Sequence, residues 1–348
     1  RYMFNRGHWK ILAEDANGPR VASLDANGQP SYDPGKPDEK SFTTDFLTDR
    51  AIKFIRENSG DPFCYMIAIP DPHGPHNVRA PYDTMYDHFD FQQPASARAT
   101  GHLLPDYANK DSVRFRPEWM SIYFGMVKCI DDNVGRLLDT LRDEGILENT
   151  VIVFTSDHGD MCGEHGRYNK GRPMETSARI PFIVHAPGTV PAGTVMPQPF
   201  GTVDFKPTLL SLLGVEDSSA NQGRDFSGHF RQDPAAIGWQ SLAFVRNGGS
   251  SADPRGEYRE DTGWIGAFGR QFKLVFGTTD IPVLFDIEND PHELTNLIDS
   301  PKHRVIIRQM ARELKRYAEA NYEPHLSSTR IRADLAWALS DELPYPFL

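Results

Sequence analysis

Between Pro117 and Thr155 the chain carries a long helical pattern, a stop and a β-branched strand in immediate succession. Tyr123, Val127, Ile130, Val134, Leu137 and Leu141 recur at alternating steps of four and three, which places them on one helical stripe. Pro117 suits the first helical position, where its missing N–H would have no intrahelical partner, and Gly145 suits the exit. Thr150 to Thr155 then reads as a short buried strand. Ser156, Asp157, His158 and Gly159 follow directly, so an acid and an imidazole stand at the strand's carboxyl end. In α/β folds ligands collect at that end of the strands, so this order constrains both fold class and site.

The rest of the chain extends the pattern. Phe46, Leu47, Ile52, Phe54 and Ile55 fall near a helical period behind Thr43 and Thr44 as capping candidates, and Phe63 to Ile69 reads as a buried strand. The breaker-rich stretch from Pro70 to His76 opens a long polar loop that runs to about Phe115, a length at which loops tend to be functional. Arg179 to Ala186 gives another buried strand, and Asp204 caps a short helix through Leu213 that ends at Gly214. Beyond about Gly238, short strands are expected at Leu242 to Arg246, Trp264 to Phe268, Phe272 to Phe276 and Val283 to Ile287, then a helix from about Lys302 to Ala320. The expected class is α/β: a central sheet flanked by helices over residues 1–237, and a smaller C-terminal antiparallel sheet subdomain with a closing helix and tail over 238–348.

A length of 348 residues with 39% hydrophobic content is enough to bury a large core, and 28 Gly with 27 Pro leave room for sites built on loops. The net charge of -11 repels nucleic acid at long range, so no nucleic-acid partner is expected. Screening over about 8 Å still lets a locally positive pocket hold a small anion. No run of about 18 apolar residues occurs, so no membrane-spanning helix is expected. Cys64, Cys129 and Cys162 are odd in number and lack metal or redox spacing, which argues against a disulfide framework and leaves the compartment open. The chain opens on Arg1 rather than Met, and a piece of a longer product is expected.

Thr155 to Asp160, Gly163 to Gly166 and Asn169 to Gly171 form the most informative stretch. An Asp-His pair at a strand end can face one metal ion, and Gly159 and Gly163 permit the sharp turns that bring later side chains back over it. Two such residues alone are most often a solvated turn, and a lone lysine such as Lys170 is most often a surface residue. The whole string outweighs that. It resembles the type I sulfatases of the alkaline phosphatase superfamily, where a similar strand-end Asp with His or Asn helps bind calcium. The similarity extends to Pro72-His73-Gly74-Pro75-His76, to Asp131, Asp132, Val134 and Gly135 on the long helix, to Ile180 through Val184 with Pro187-Gly188, and to Asp204 through Leu210. Lys273-Leu274-Val275, Leu284-Phe285-Asp286, Asp290-Pro291, Glu293 and Asn296-Leu297 are similar to the family's C-terminal subdomain, so the resemblance spans about residues 43 to 320.

The resemblance implies a sulfatase/alkaline-phosphatase-like central sheet, a catalytic domain incomplete over 1–237, and a role for each matching residue. Asp157 and His158 would ligate a divalent metal, most often Ca2+, with Mn2+ or another ion left open because imidazole is a less typical ligand of hard calcium. Lys170 would contact the sulfate, and His73 the sulfate or the leaving-group oxygen. His76 and His165 are further substrate-binding candidates, although histidines in such loops more often satisfy backbone groups or face water. Arg79, Arg167 and Arg172 are candidates for a second sulfate or a uronate, with solvent exposure their expected state. Asp131 and Asp132 are adjacent on a helix and point in different directions, so no shared catalytic role is assigned to them.

Two family elements are missing: an opening strand with two metal-binding aspartates, and a Cys or Ser in a short Pro/Ala and Arg motif that is oxidised to formylglycine. None of the three cysteines has the proline and arginine that this motif needs. The formylglycine is therefore expected in an N-terminal segment of the same protein, and this chain alone is expected to be inactive. The implied function is hydrolysis of sulfate esters by the complete protein, on a sulfated carbohydrate or polysaccharide. A phosphonate monoester or phosphodiester hydrolase of the same superfamily is the second reading, and a non-catalytic anion- or sugar-binding protein the third. The resemblance points to a periplasmic or extracellular location.

Overall fold

A computed structural model describes residues 12–15, 18–21, 42–74, 76–98, 104–105, 115–236, 242–248, 263–342 and 344–346. They fall into two compact units, Arg1–Gln93 with Arg116–Thr150 and Pro94–Phe115 with Val151–Leu348. Pro75 of the histidine loop and the expected domain boundary at 237/238 lie outside the described residues.

In the first unit, β1 (Leu12–Asp15) and β2 (Gly18–Val21) pair antiparallel. α1 (Thr43–Asn58) packs on α2 (Pro117–Asp143), and Phe42, Val78, Tyr82, Met126 and Cys129 form the core around them. A Cβ on Gly125 would stand 2.2 Å from the Tyr82 carbonyl oxygen, so glycine is what lets the loop approach α2 so closely. Buried Asp45 accepts from Arg79 Nε at 2.7 Å and Nη2 at 2.8 Å, and from Asn133 Nδ2 at 3.1 Å. This network joins α1, the loop and α2, and burial in it pushes the Cys129 thiol up to about 12.

Three expectations change here. The cap of α1 is Phe42, not Thr43 or Thr44, and the Thr44 hydroxyl instead donates to Asp71, a tertiary bond that outcompetes local capping. The buried face of α2 runs through Ser121, Gly125, Met126, Cys129 and Asn133, beside the apolar stripe read from the sequence, and Val127 is 43% exposed. Small and polar residues give α1 its close approach, so they set the packed face. Phe63 to Ile69 forms no strand, and Met66 in it is 88% exposed.

The second unit is α/β, with small antiparallel sheets. β3 (Ile152–Thr155) is followed by the short helix α3 (Glu175–Ala178) and by β4 (Phe182–His185), which pairs antiparallel with β3. Both strands are less buried than their composition predicts: Phe154 and Ile183 stand directly opposite each other and are 37% and 60% exposed. α4 (Phe205–Leu212) ends near Gly214 as expected, but Asp204 serves the turn before it, accepting from the N–H groups of Gly201 at 3.1 Å and Arg224 at 2.8 Å.

After α5 (Ser227–Phe230) comes an antiparallel meander of β5 (Ala243–Asn247), β6 (Trp264–Phe268), β7 (Phe272–Gly277) and β8 (Val283–Asp286). Alternation along β6 and β7 divides the core: Ile265, Ala267, Leu274 and Phe276 face the helices α6 (Arg304–Ala320) and α7 (Thr329–Leu339), whereas Trp264, Phe268 and Val275 pack with Met161 and Met174. The sheet is covered on both faces, which is why β6 reads as continuously apolar. Its second face is thus the floor beneath the segment that follows β3.

Candidate active site

At the end of β3 the Thr155 hydroxyl donates to Pro181 O at 2.9 Å, which ties the strand end to the start of β4. Asp157 lies beyond that tie with its side chain 85% exposed, and His158 beside it is partly covered. His158 Nδ1 is 2.7 Å from the Gly159 carbonyl oxygen, an atom that only accepts, so in the neutral ring Nδ1 carries the proton and Nε2 the lone pair. Asp157 Oδ1 accepts from the His158 backbone N–H at 2.9 Å, and Oδ2 stands 3.5 Å from His158 Nε2.

Two lone-pair atoms that close repel each other unless a proton or a cation lies between them. Donors sharing one ion at roughly 2.4 Å must stand within about 5 Å of each other, and this pair meets that condition. The donor set therefore fits part of a divalent-cation site. No group of three or more His, Cys, Asp or Glu residues that would hold a metal occurs among the described residues.

The turn that follows explains its glycines. Gly159 N–H donates to Ser177 O at 2.9 Å, and a Cβ on Gly159 would stand 2.1 Å from Thr176 O. Asp160 then organises the loop: its Oδ1 accepts from Cys162 N–H at 3.0 Å and Asn169 N–H at 3.1 Å, while Met161 N–H donates to Asn169 O at 2.7 Å. The loop closes on itself just before Lys170, which is exposed. Nothing in the sequence marks Asp160 for this task except its position within the string.

His165 is buried inside this loop, with its backbone N–H donating to Ser96 Oγ at 3.1 Å. Glu164 beside it accepts from Ser96 Oγ, and burial pushes its carboxyl up against the opposing charge of His292. Arg167 is half-buried; its pKa is lowered by burial first and then by the like charge of Arg172, with Asp280 opposing. Arg167 and Arg172 thus concentrate positive charge on either side of Lys170 in a chain whose net charge is -11.

The sheet also reaches up to this segment. Lys273 on β7 is fully buried; Nζ donates to Pro173 O at 2.7 Å and pairs with Glu175 at 3.0 Å and with Glu293. Glu293 in turn accepts from the Glu175 N–H at 2.7 Å, and burial raises its pKa against the pull of Lys273.

Of the expected site residues, Asp157, His158, His165 and Lys170 belong to the second unit, and His73 and His76 to the first. His73 is exposed, and its Nδ1 donates to Gly74 O at 2.8 Å, so proton exchange with a substrate would run through Nε2. His76 stacks on Trp119 of α2 with ring centroids 4.8 Å apart. Arg79 departs from expectation: it is buried and forked onto Asp45, a structural ion pair rather than an exposed guanidinium.

The family model for sulfatases matches residues 11–215, more than half of the chain. An arylsulfatase of Clostridium perfringens is 28% identical over 316 residues, covering 84% of this chain and 61% of that protein. The solved structure of BT4656 in complex with its substrate D-glucosamine-2-N,6-O-disulfate aligns with a TM-score of 0.71 at 22% identity, covering 81% of this chain and 70% of that one. The phosphonate monoester hydrolase SpPMH from Silicibacter pomeroyi aligns with a TM-score of 0.70 at 24% identity, covering 94% of this chain and 68% of that one. At these identities the solved structures establish the fold. The chain spans about six-tenths of the length of the curated relatives it matches.

Proposed function

The chain belongs to the sulfatase family, and on that premise we propose that the complete protein hydrolyses sulfate esters of a carbohydrate. The observation that carries the reading is the pair of facing acceptors, Asp157 Oδ2 and His158 Nε2 at 3.5 Å, at a strand end whose loop leads on to exposed Lys170. Asp157 and His158 are proposed to hold a divalent cation, Ca2+ by family likeness, which when bound supplies positive charge to the sulfate oxygens. The remaining ligands and the formylglycine are proposed to come from a segment of the same protein preceding Arg1. The sulfated sugar named with BT4656 supports a carbohydrate substrate.

Lys170 would place a cation on a sulfate oxygen in ground and transition states alike, so Lys170→Ala should weaken binding as well as turnover. His73 would hydrogen-bond or protonate the leaving oxygen, and it matters most when that oxygen gains charge. His73→Ala is therefore expected to cut turnover on the order of 10²-fold on an alkyl sugar sulfate and clearly less on 4-nitrophenyl sulfate, whose leaving group needs little help. Steady-state kinetics of the full-length protein on both substrates checks this. Equal losses on the two would reduce His73 to a positioning group, and wild-type kinetics would remove it from the site.

A further inference from the structure

The ammonium of Lys170 sits at the end of a long flexible stem, so its reach is set by where the backbone holds it. The peptide that follows it is held unusually firmly. Gly171 O accepts two donors, Asn247 Nδ2 at 2.7 Å and Trp264 Nε1 at 3.0 Å, which uses both lone pairs of the carbonyl. On the other side, the Gly171 and Arg172 N–H groups converge on Ser177 Oγ at 3.0 and 3.3 Å. Gly171 adopts φ +88°, and a Cβ there would stand 3.2 Å from Asn247 Nδ2, so the residue after Lys170 is one whose conformation and contacts both favour glycine.

Asn247 is the last residue of β5 and is itself braced from behind. Its carbonyl accepts from His325 Nε2 at 2.8 Å, and His325 Nδ1 bonds Glu323 Oε1 at 2.6 Å, with Arg246 Nη1 on the same carboxylate oxygen at 3.4 Å. His325 is fully buried. A continuous hydrogen-bonded line thus runs from the segment after α6, through the end of the C-terminal sheet, to the peptide beside Lys170.

We propose that Asn247 is a positioning residue for anion binding by Lys170, acting through the Gly171 carbonyl and held in place by His325 and Glu323. The proposal rests on the reading of Lys170 as a sulfate-binding group. Its physical content is that a long cation bound to a fixed peptide meets the anion at one place, whereas release of that peptide spreads the ammonium over several. Ser177 and Trp264 keep the loop attached when Asn247 is changed, so the loss should appear as weaker anion binding and not as unfolding.

The test is calorimetric titration of the full-length protein with inorganic sulfate, for wild type, Lys170→Ala, Asn247→Ala and the double variant, with melting temperatures measured in parallel. Asn247→Ala is expected to weaken sulfate about tenfold and to add almost nothing once Lys170 is already alanine, because the two changes disable one contact. Asn247→Leu, close in size but uncharged and without the donor, should behave the same way and covers the case in which the alanine variant folds poorly. If Lys170→Ala leaves sulfate affinity unchanged, the reading of Lys170 fails and this proposal with it. If Lys170→Ala weakens sulfate while both Asn247 variants bind it as wild type does, the proposal alone fails. Losses that multiply in the double variant would also overturn it, since Asn247 would then act independently of Lys170.

Discussion

Replacing Asp157 by alanine is expected to lower sulfate-ester turnover by the full-length protein on the order of 10³-fold and to reduce its bound divalent metal. The carboxylate is the anionic member of the facing pair, and without it His158 Nε2 is a single neutral donor. The same substitution should hardly affect folding. The Asp157 side chain is 85% exposed, so its removal opens no cavity, and the main internal bond lost is the one from the His158 N–H. Surface changes of that kind fall within about 0.5 kcal/mol. Kinetics, metal content and a denaturation curve on one preparation separate these effects. Turnover and metal content like the wild type would remove Asp157 from the metal site.

Arg79→Ala is expected to do the opposite, destabilising the protein by roughly 3–5 kcal/mol through the loss of one partner of a buried ion pair. Asp45 is 1% exposed and would keep Asn133 Nδ2 at 3.1 Å and the weakly donating Cys129 Sγ at 3.8 Å, with Arg136 Nη1 only at 3.9 Å. Loss of a guanidinium that bound substrate would instead raise KM and leave stability alone. Urea unfolding of the variant decides, and a midpoint shift worth less than about 1 kcal/mol would contradict the structural role.

Comparison of these two residues shows where the sequence was legible. Asp157, His158 and Lys170 stand out as candidates because they lie within one short string between a strand and a glycine-rich turn, so local pattern and family likeness act on the same residues. Arg79 carried the right chemistry for an oxyanion, but its partner Asp45 lies 34 residues earlier and no local pattern reveals the pairing. Asn247 and Trp264 escaped for the same reason, bonding Gly171 across 76 and 93 residues. In the fold, α2, β6, β7, β8 and α6 lie close to their expected extents, because helix or strand period and turn residues agree on where they run. Burial was read less well. Apolar content marks what a residue prefers, not whether a layer covers it, and Phe154, Ile183 and Met66 are apolar and exposed. α7 falls within the expected tail, although Ile331, Leu335 and Ala338 repeat at helical spacing and are buried.

That Asp157, His158 and Lys170 serve sulfate-ester hydrolysis is tested most directly by kcat/KM of the purified full-length protein, supplied with Ca2+, on a sulfated monosaccharide and on a phosphonate monoester in parallel. The account predicts the higher value for the sulfate ester and its loss in Lys170→Ala. Hydrolysis of the phosphonate alone, or of neither ester by protein with its metal bound, would contradict it.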